Sequence, residues 1–359
     1  MVFRYFVFEN HNANIIEYQN LLWLYLIWVS FGGIIMTNQI KRIGILTSGG
    51  DAPGMNAVIR AVVRTAISNG IKPKGILKGY NGLLNGEIIN LKSRDVSDII
   101  QRGGTILYTD RCEEFKTDEG QKRGAKICRD NGIDYLVVIG GDGSFCGAKK
   151  LSELGIKIIA IPATIDLDIA CTEYTIGFDT AVNTAMEAID RIKDTSTSHE
   201  RCSVVEVMGR NAGYIALWCG IANGAEDIFI PGIRNTNEEK LIENIKKNRK
   251  NGKKHYIIIN AEGIGGSEEL AKRISKATGM EARATILGHL QRGGSPTAKD
   301  RFMGTLMGSY AVDLIINGKS NRVVAVKNGA LVDYDIVEAL NMSKSIDEYQ
   351  YHVYKILSN

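Results

Sequence analysis

An α/β fold with mainly parallel strands is the class this sequence predicts, and three observations predict it. From residue 41 onward, short apolar runs alternate with stretches of helical periodicity. The junctions between them are rich in glycine, the pattern of parallel strands joined by crossover helices. Glycine numbers 39 and proline only 5, which implies many tight loops without proline-rich linkers. The runs place strands at 43–47, 135–139, 156–161, 203–207, 256–261, 284–287 and 322–326. A helix follows the first strand to Ser68, with Gly70 as its stop signal. A second carries Phe178, Val182, Ala185, Ile189 and Ile192 on one face. The basic stretch at 246–255, KKNRKNGKKH, reads as a solvated helix end and turn.

The bulk properties narrow the function classes. A chain of 359 residues suggests about two domains, and 44% hydrophobic with 23% charged residues excludes disorder. A net charge of +4 is too small to argue for nucleic acid, so any anion site must be local. Cys112, Cys128, Cys146, Cys171, Cys202 and Cys219 form no CxxC pair, which disfavours a zinc cluster or disulfide scaffold and suits a reducing cytoplasm. Neither an internal repeat nor a low-complexity tract is visible. Residues 1–35 differ from the rest: they hold Trp23 and Trp28, only Arg4, Glu9 and Glu17 as charges, and end in an apolar run too short for a ~20-residue membrane span. We expect this segment to be an atypical extension, with Met36 the true start and no membrane involvement.

Three loops carry candidate chemistry. TSGGDAPGMNA at 47–57 joins a strand to a helix, and Gly49 and Gly50 let backbone approach a ligand beside a helix N-terminus. It matches neither a Walker loop nor a dinucleotide fingerprint, and a ligand-free tight turn would look similar. The second loop sets Asp142 among Gly140, Gly141, Gly143 and Ser144. Asp142 would serve either as a helix N-cap or, the reading we favour, as a hard oxygen ligand for Mg²⁺ beside a phosphate. The third, at 161–181, contains Asp166 and Asp168, which an extended backbone would point together into a cleft with Leu167 facing away. A surface pair in a turn is the plainer alternative. Loops at successive strand ends match the rule that open α/β sheets bind ligands beyond their carboxyl edge.

TSGGDAPGMNA, RGGTIL followed by Arg111, IGGDGS, TIDLD, SHERCSVVEVMGR and LGHLQRGGSP occur in this order across nearly the whole of 36–359. In this the chain resembles the bacterial ATP-dependent 6-phosphofructokinases. The resemblance implies two Rossmann-like three-layer α/β/α domains with the active site in the cleft between them. Residues 36–176 plus about 290–342 would bind ATP, and 177–289 plus the C-terminal segment would bind fructose 6-phosphate. It implies phosphoryl transfer from MgATP to the 1-hydroxyl of that sugar phosphate, the committed step of glycolysis.

Residue by residue, Gly50, Arg111, Cys112, Gly141, Asp142, Gly143 and Ser144 match the family's ATP contacts, with Asp142 the Mg²⁺ ligand. Asp166 falls on its proton acceptor; Thr164, Arg210 and Asp168 complete the catalytic set. Ile165, Met208, Gly209, Glu262, Leu290 and Gln291 match sugar contacts. Arg201, Arg283, His289 and Arg292 match the 6-phosphate cage, where Arg201 and Arg283 reach into a neighbouring subunit, so that a homotetramer is implied. Arg60, Arg64, Lys193, Gly224, Ala225, Glu226, Lys253, Lys254 and His255 match an effector pocket for ADP and phosphoenolpyruvate.

The chain departs from the pattern in places. Ala163 and Leu167 replace the usual Gly and Asn, Lys193 replaces Arg, and Gly232 replaces Glu. Asn251 stands where a basic residue is common. Leu167 motivates an alternative, a non-catalytic sugar-phosphate-binding paralogue. A pyrophosphate-dependent enzyme is a further alternative, although small Gly143 and Ala163 stand where pyrophosphate users carry Asp and Lys.

Overall fold

The computed structural model describes residues 40–233 and 238–358. The segment 1–35, set apart by its composition, lies outside the described residues.

In chain order the elements are β1 (Arg42–Ser48), α1 (Met55–Ser68), β2 (Lys72–Ile76), α2 (Gly79–Asn85), β3 (Ile88–Asn90), α3 (Asp118–Asp130), β4 (Tyr135–Gly140), α4 (Asp142–Glu153), β5 (Lys157–Thr164) and β6 (Ile176–Gly177). There follow α5 (Phe178–Ser198), β7 (Cys202–Val207), α6 (Tyr214–Asn223), β8 (Asp227–Phe229), α7 (Glu238–Lys250), β9 (Tyr256–Ala261), α8 (Ser267–Thr278) and β10 (Ala282–Ile286). The chain closes with α9 (Ala298–Ile316), β11 (Arg322–Lys327), β12 (Ala330–Asp335), α10 (Ile336–Asn341) and α11 (Glu348–Leu357).

Two sheets result. The larger runs β12-β11-β5-β4-β1-β2-β3, with β6 beside β5; the smaller runs β10-β7-β9-β8 and is parallel throughout. In the larger sheet only the outer pairs, β2 with β3 and β11 with β12, are antiparallel. The class is α/β, as the alternating pattern predicts. Every expected strand is present, its bounds within two residues of expectation except at the end of β5, which runs three residues further, to Thr164. β4 and β9 are buried along their whole length, because in a parallel sheet covered by helices neither face meets water. Around the larger sheet Leu46, Leu136, Val138, Ile158 and Val323 pack together; Val204, Tyr256, Ile258, Leu270 and Ile274 do so around the smaller. Among the described residues no helix is long and apolar enough to cross a membrane.

The larger sheet places the loops. From β1 the chain moves to β2 on one side, yet β4 pairs with β1 on the other. The order of strands therefore reverses between β1 and β4. That reversal opens a crevice at the carboxyl ends of both strands, the position where open α/β sheets take ligands.

Candidate active site

The loops after β1, β4 and β5 converge on one cavity of about 690 Å³. Gly50, Arg111, Cys112, Gly141, Asp142, Gly143 and Ser144 all line it, as do Thr164, Asp166, Asp168, Arg210 and Arg292. The loops are tied to one another. Ser144 Oγ donates to Ser48 O at 3.0 Å, and Thr109 Oγ1 donates to Gly49 O at 2.7 Å, which brings the segment with Arg111 and Cys112 to the first loop. Arg292 crosses over to donate to Asp51 O at 3.2 Å. A Cβ on Gly50 would sit 2.6 Å from the Arg292 guanidinium, so a side chain there would push the tip of the arginine aside.

Asp142 is not an N-cap. Gly141 occupies that position, Asp142 is the first helical residue of α4, and no side chain caps the helix. Its carboxylate is left to the cavity.

The expectation of an extended backbone through Asp166 and Asp168 is corrected. β5 ends at Thr164, and Leu167 takes φ +55, a left-handed conformation that disfavours leucine. The chain thus turns, and the turn rather than strand alternation brings both carboxylates into the cavity lining. Leu167 is buried (5% exposed) and does not line the cavity. Its burial, worth about 1.5–3 kcal/mol, offsets a left-handed penalty of about 1–2 kcal/mol, so an apolar residue is tolerated where the family carries Asn. The turn is pinned at its base, where Thr175 Oγ1 donates to Thr164 O at 2.7 Å and Asp166 N donates to Thr164 Oγ1 at 3.2 Å.

Asp166 is the best-shielded carboxylate of the site, 2% exposed. Its Oδ2 lies 3.5 Å from Arg210 Nε, while its Oδ1 is buried without a partner. Burial, followed by repulsion from Asp168, raises the Asp166 carboxyl above its ordinary range; Arg210 and Arg292 oppose this. Desolvation, followed by repulsion from Asp168, pushes Asp142 up to about 6, again against Arg210. Arg210 comes from a turn after β7 in which Gly209 has φ +126 and Arg210 itself φ +47. Its N–H donates to Glu262 Oε2 at 3.2 Å, and Met208 N donates to Gln291 Oε1 at 3.2 Å. A strained residue held by its neighbours at a cavity wall is characteristic of functional sites.

Other expected residues lie elsewhere in the single chain. Ile165 is fully buried, and His289 and Leu290 are exposed. Arg201 precedes β7 and Arg283 is the second residue of β10, in register with Ser203. Both therefore sit at the amino-terminal edge of the smaller sheet, about 20 Å along the strands from Met208 and Arg210. Arg283 pairs there with Glu281 at 2.5 Å, and Arg201 donates to Thr195 Oγ1 at 3.1 Å.

Of the effector set, Lys193 donates to Asn223 O at 3.0 Å, next to Gly224 and Ala225, and Lys253 pairs with Glu226 at 2.7 Å. Lys254 pairs with Glu200, and His255 adjoins β9. Arg60 and Arg64 stand apart on α1, where Arg64 reaches Ser93 O and Ser97 Oγ at 3.4 Å. The cavity wall also holds Tyr80 and Phe115, which stack at 4.1 Å and 11° beside Gly147 and carry no motif in the sequence.

The chemistry of the donor set fits a divalent cation bound together with phosphate. Asp166 Oδ1 and Asp168 Oδ1 are buried and unpartnered, and Asp168 and Asp142 repel each other. Among the described residues no cluster of three or more His, Cys, Asp or Glu would cage a metal alone. Magnesium needs no such cage, since it uses one or two carboxylates and takes its remaining ligands from phosphate and water.

Glycine loops open to phosphate, paired carboxylates and an arginine at the cavity wall define a phosphoryl-transfer site on an α/β scaffold. The sequence model of the family described as Phosphofructokinase matches residues 42–315. This chain belongs to the phosphofructokinase family. It is 58% identical over 319 residues to an ATP-dependent 6-phosphofructokinase of Clostridium botulinum, covering 89% of this chain and 100% of that protein. Among solved structures it resembles phosphofructokinase from Saccharomyces cerevisiae, with a TM-score of 0.76 and 34% identity over 89% of this chain, which spans only 47% of that one. It also resembles a pyrophosphate-dependent phosphofructokinase from Marinobacter aquaeolei, with a TM-score of 0.77, 26% identity and 86% of each chain covered.

Proposed function

We propose that this chain transfers the γ-phosphoryl group of ATP to the 1-hydroxyl of fructose 6-phosphate, giving fructose 1,6-bisphosphate and ADP. Asp166 carries the reading: a buried carboxylate with one unpartnered oxygen, in the lining of a cavity of about 690 Å³ and held beside an arginine. Asp166 accepts the hydroxyl proton as the sugar oxygen attacks. Its environment raises its basicity toward the working pH, which favours a general base. Arg210 and Thr164 stand at the cavity wall to stabilise charge spread over the transferring phosphoryl oxygens. A magnesium ion held by Asp142 and Asp168 would supply charge neutralisation between the nucleotide phosphates.

The two lobes take separate ligands in this reading. Residues 36–176 with about 290–342 hold ATP through Gly50, Arg111, Cys112 and the 141–144 loop. Residues 177–289 with the C-terminal segment hold the sugar phosphate through Met208, Gly209, Glu262, His289 and Arg292. ATP is favoured over pyrophosphate because Gly143 has open space beyond its Cα and Ala163 lines the cavity with only a methyl group. Room for a third phosphate is thereby left. A coupled assay of the purified chain with fructose 6-phosphate and either donor tests this: turnover with ATP and none with pyrophosphate is expected, and the reverse would refute it.

Arg201 and Arg283 support an oligomer. They lie too far from this chain's own cavity to serve it, so they would complete the site of a neighbouring subunit, in a cytoplasmic homotetramer. Arg283→Ala and Asp166→Ala should each be nearly inactive alone. Co-expressed, they should regain activity at least about 10-fold above either, because hybrid oligomers contain sites with both residues intact. No recovery would place Arg283 outside the site. Lys193, Glu226, Lys253 and the glycine end of α6 would bind ADP or phosphoenolpyruvate with Arg60 and Arg64 of another subunit.

A further inference from the structure

Lys344 belongs to none of the motifs that carry the reaction, yet it touches the turn on which the carboxylates stand. It lies beyond α10, and its Nζ donates to Leu167 O and to Thr172 O, both at 3.1 Å. The two carbonyls are on opposite limbs of the loop between β5 and β6. Leu167 is the left-handed residue between Asp166 and Asp168, and Thr172 is fixed from the far side, its Oγ1 accepting from Val326 N at 2.9 Å. An ammonium donating to two carbonyls makes charge-assisted bonds, which are stronger than neutral ones.

The lysine is itself held. Its Nζ sits 4.9 Å from the centre of the Tyr214 ring, and the Tyr214 hydroxyl donates to Ser345 O at 2.9 Å. Tyr214 is the first residue of α6, directly after the turn that aims Arg210 at Asp166. A continuous set of contacts thus runs from the Asp166–Asp168 turn through Lys344 and Tyr214 to the Arg210 turn.

We propose that Lys344 is a positioning residue for phosphoryl transfer: by bridging Leu167 O and Thr172 O while seated on Tyr214, it holds the Asp166–Asp168 turn in place opposite Arg210. Lys344 reaches no reacting atom in this assignment, and it rests on the reading of Asp166 as the base. A leucine at φ +55 is held there by tertiary contacts, its own burial and the bonds at Thr164 among them. The bridge adds a contact that spans both limbs of the loop, and a displacement of about 1 Å at a reacting group costs on the order of 10²-fold in rate.

Steady-state kinetics of full-length Lys344→Met, Lys344→Arg and Tyr214→Phe with ATP and fructose 6-phosphate test the proposal, with Asp166→Asn in parallel. Lys344→Met should lower kcat on the order of 10²-fold while the KM for ATP changes less than about 3-fold, because the nucleotide loops are not disturbed. Lys344→Arg, which keeps charge and donors, should recover kcat to within about 10-fold of the parent. Tyr214→Phe keeps the ring under the ammonium and loses only the tether to Ser345, so a smaller fall in kcat is expected.

A kcat for Lys344→Met within about 3-fold of the parent, or Lys344→Arg no better than Lys344→Met, would overturn the proposal. If Lys344→Met does not fold, parental kcat in Tyr214→Phe would overturn it equally, and a reduced kcat in Tyr214→Phe at unchanged melting temperature would support it. Inactive Asp166→Asn beside fully active Lys344→Met refutes the positioning role alone. Active Asp166→Asn removes the base reading and the positioning role together.

Discussion

Asp166→Asn should lower kcat about 10²- to 10⁴-fold, the contribution of a general base, which corresponds to about 3–5 kcal/mol in the barrier. The KM values for both substrates should move little. Asparagine keeps the volume of the buried side chain, and its loss of charge removes repulsion with Asp168, so the protein should melt no lower than the parent. Kinetics and thermal melting on the same preparation check both halves of the expectation. A variant keeping more than about a tenth of the parental kcat would remove Asp166 from the chemical step.

Arg210→Ala is expected to have the next largest effect, on the order of 10²- to 10³-fold in kcat, because a fixed cation at the developing phosphoryl charge is lost. Arg210→Lys should fall between parent and alanine, since an ammonium keeps the charge without the planar fork. The pH profile gives a second readout. Asp142, pushed up to about 6, must be ionised to attract a cation, so kcat/KM should decline as pH falls through about 6 in the parent. Arg210 draws both Asp142 and Asp166 down; without it both carboxyls rise, and the acid limb should move to higher pH. A limb that stays in place, or moves to lower pH, would contradict the electrostatic coupling of Arg210 to Asp142 and Asp166.

Much of this architecture is legible in the sequence, for reasons visible in particular residues. YLVVIG of β4 reads as a strand because both its faces are buried, so that periodicity is unnecessary. β2 is hidden because KPKGI offers two lysines, a proline and a glycine to set against one Ile. The hairpin between β11 and β12 carries a local signal. Asn328 and Gly329, at φ +51 and +75, form the two-residue turn that Asn-Gly favours.

The carboxylate pair is legible as residues but not as geometry. Strand alternation predicts that Asp166 and Asp168 align, and a left-handed Leu167 aligns them instead. Contacts between distant segments left no local trace at all. Tyr80 meets Phe115 only because α2 packs beside the loop before α3, and Lys344 meets a carbonyl 177 residues away. Such pairs are products of tertiary packing, which short-range patterns do not encode.

The position of the Asp166 carboxylate relative to the sugar decides the account most directly. In a crystal structure of the chain with fructose 6-phosphate and a non-hydrolysable ATP analogue, an Asp166 oxygen should lie about 2.6–3.2 Å from the 1-hydroxyl, with the γ-phosphorus on the far side of that oxygen. A 1-hydroxyl facing another residue, with Asp166 beyond about 4 Å and no water between them, would contradict the mechanism at its base.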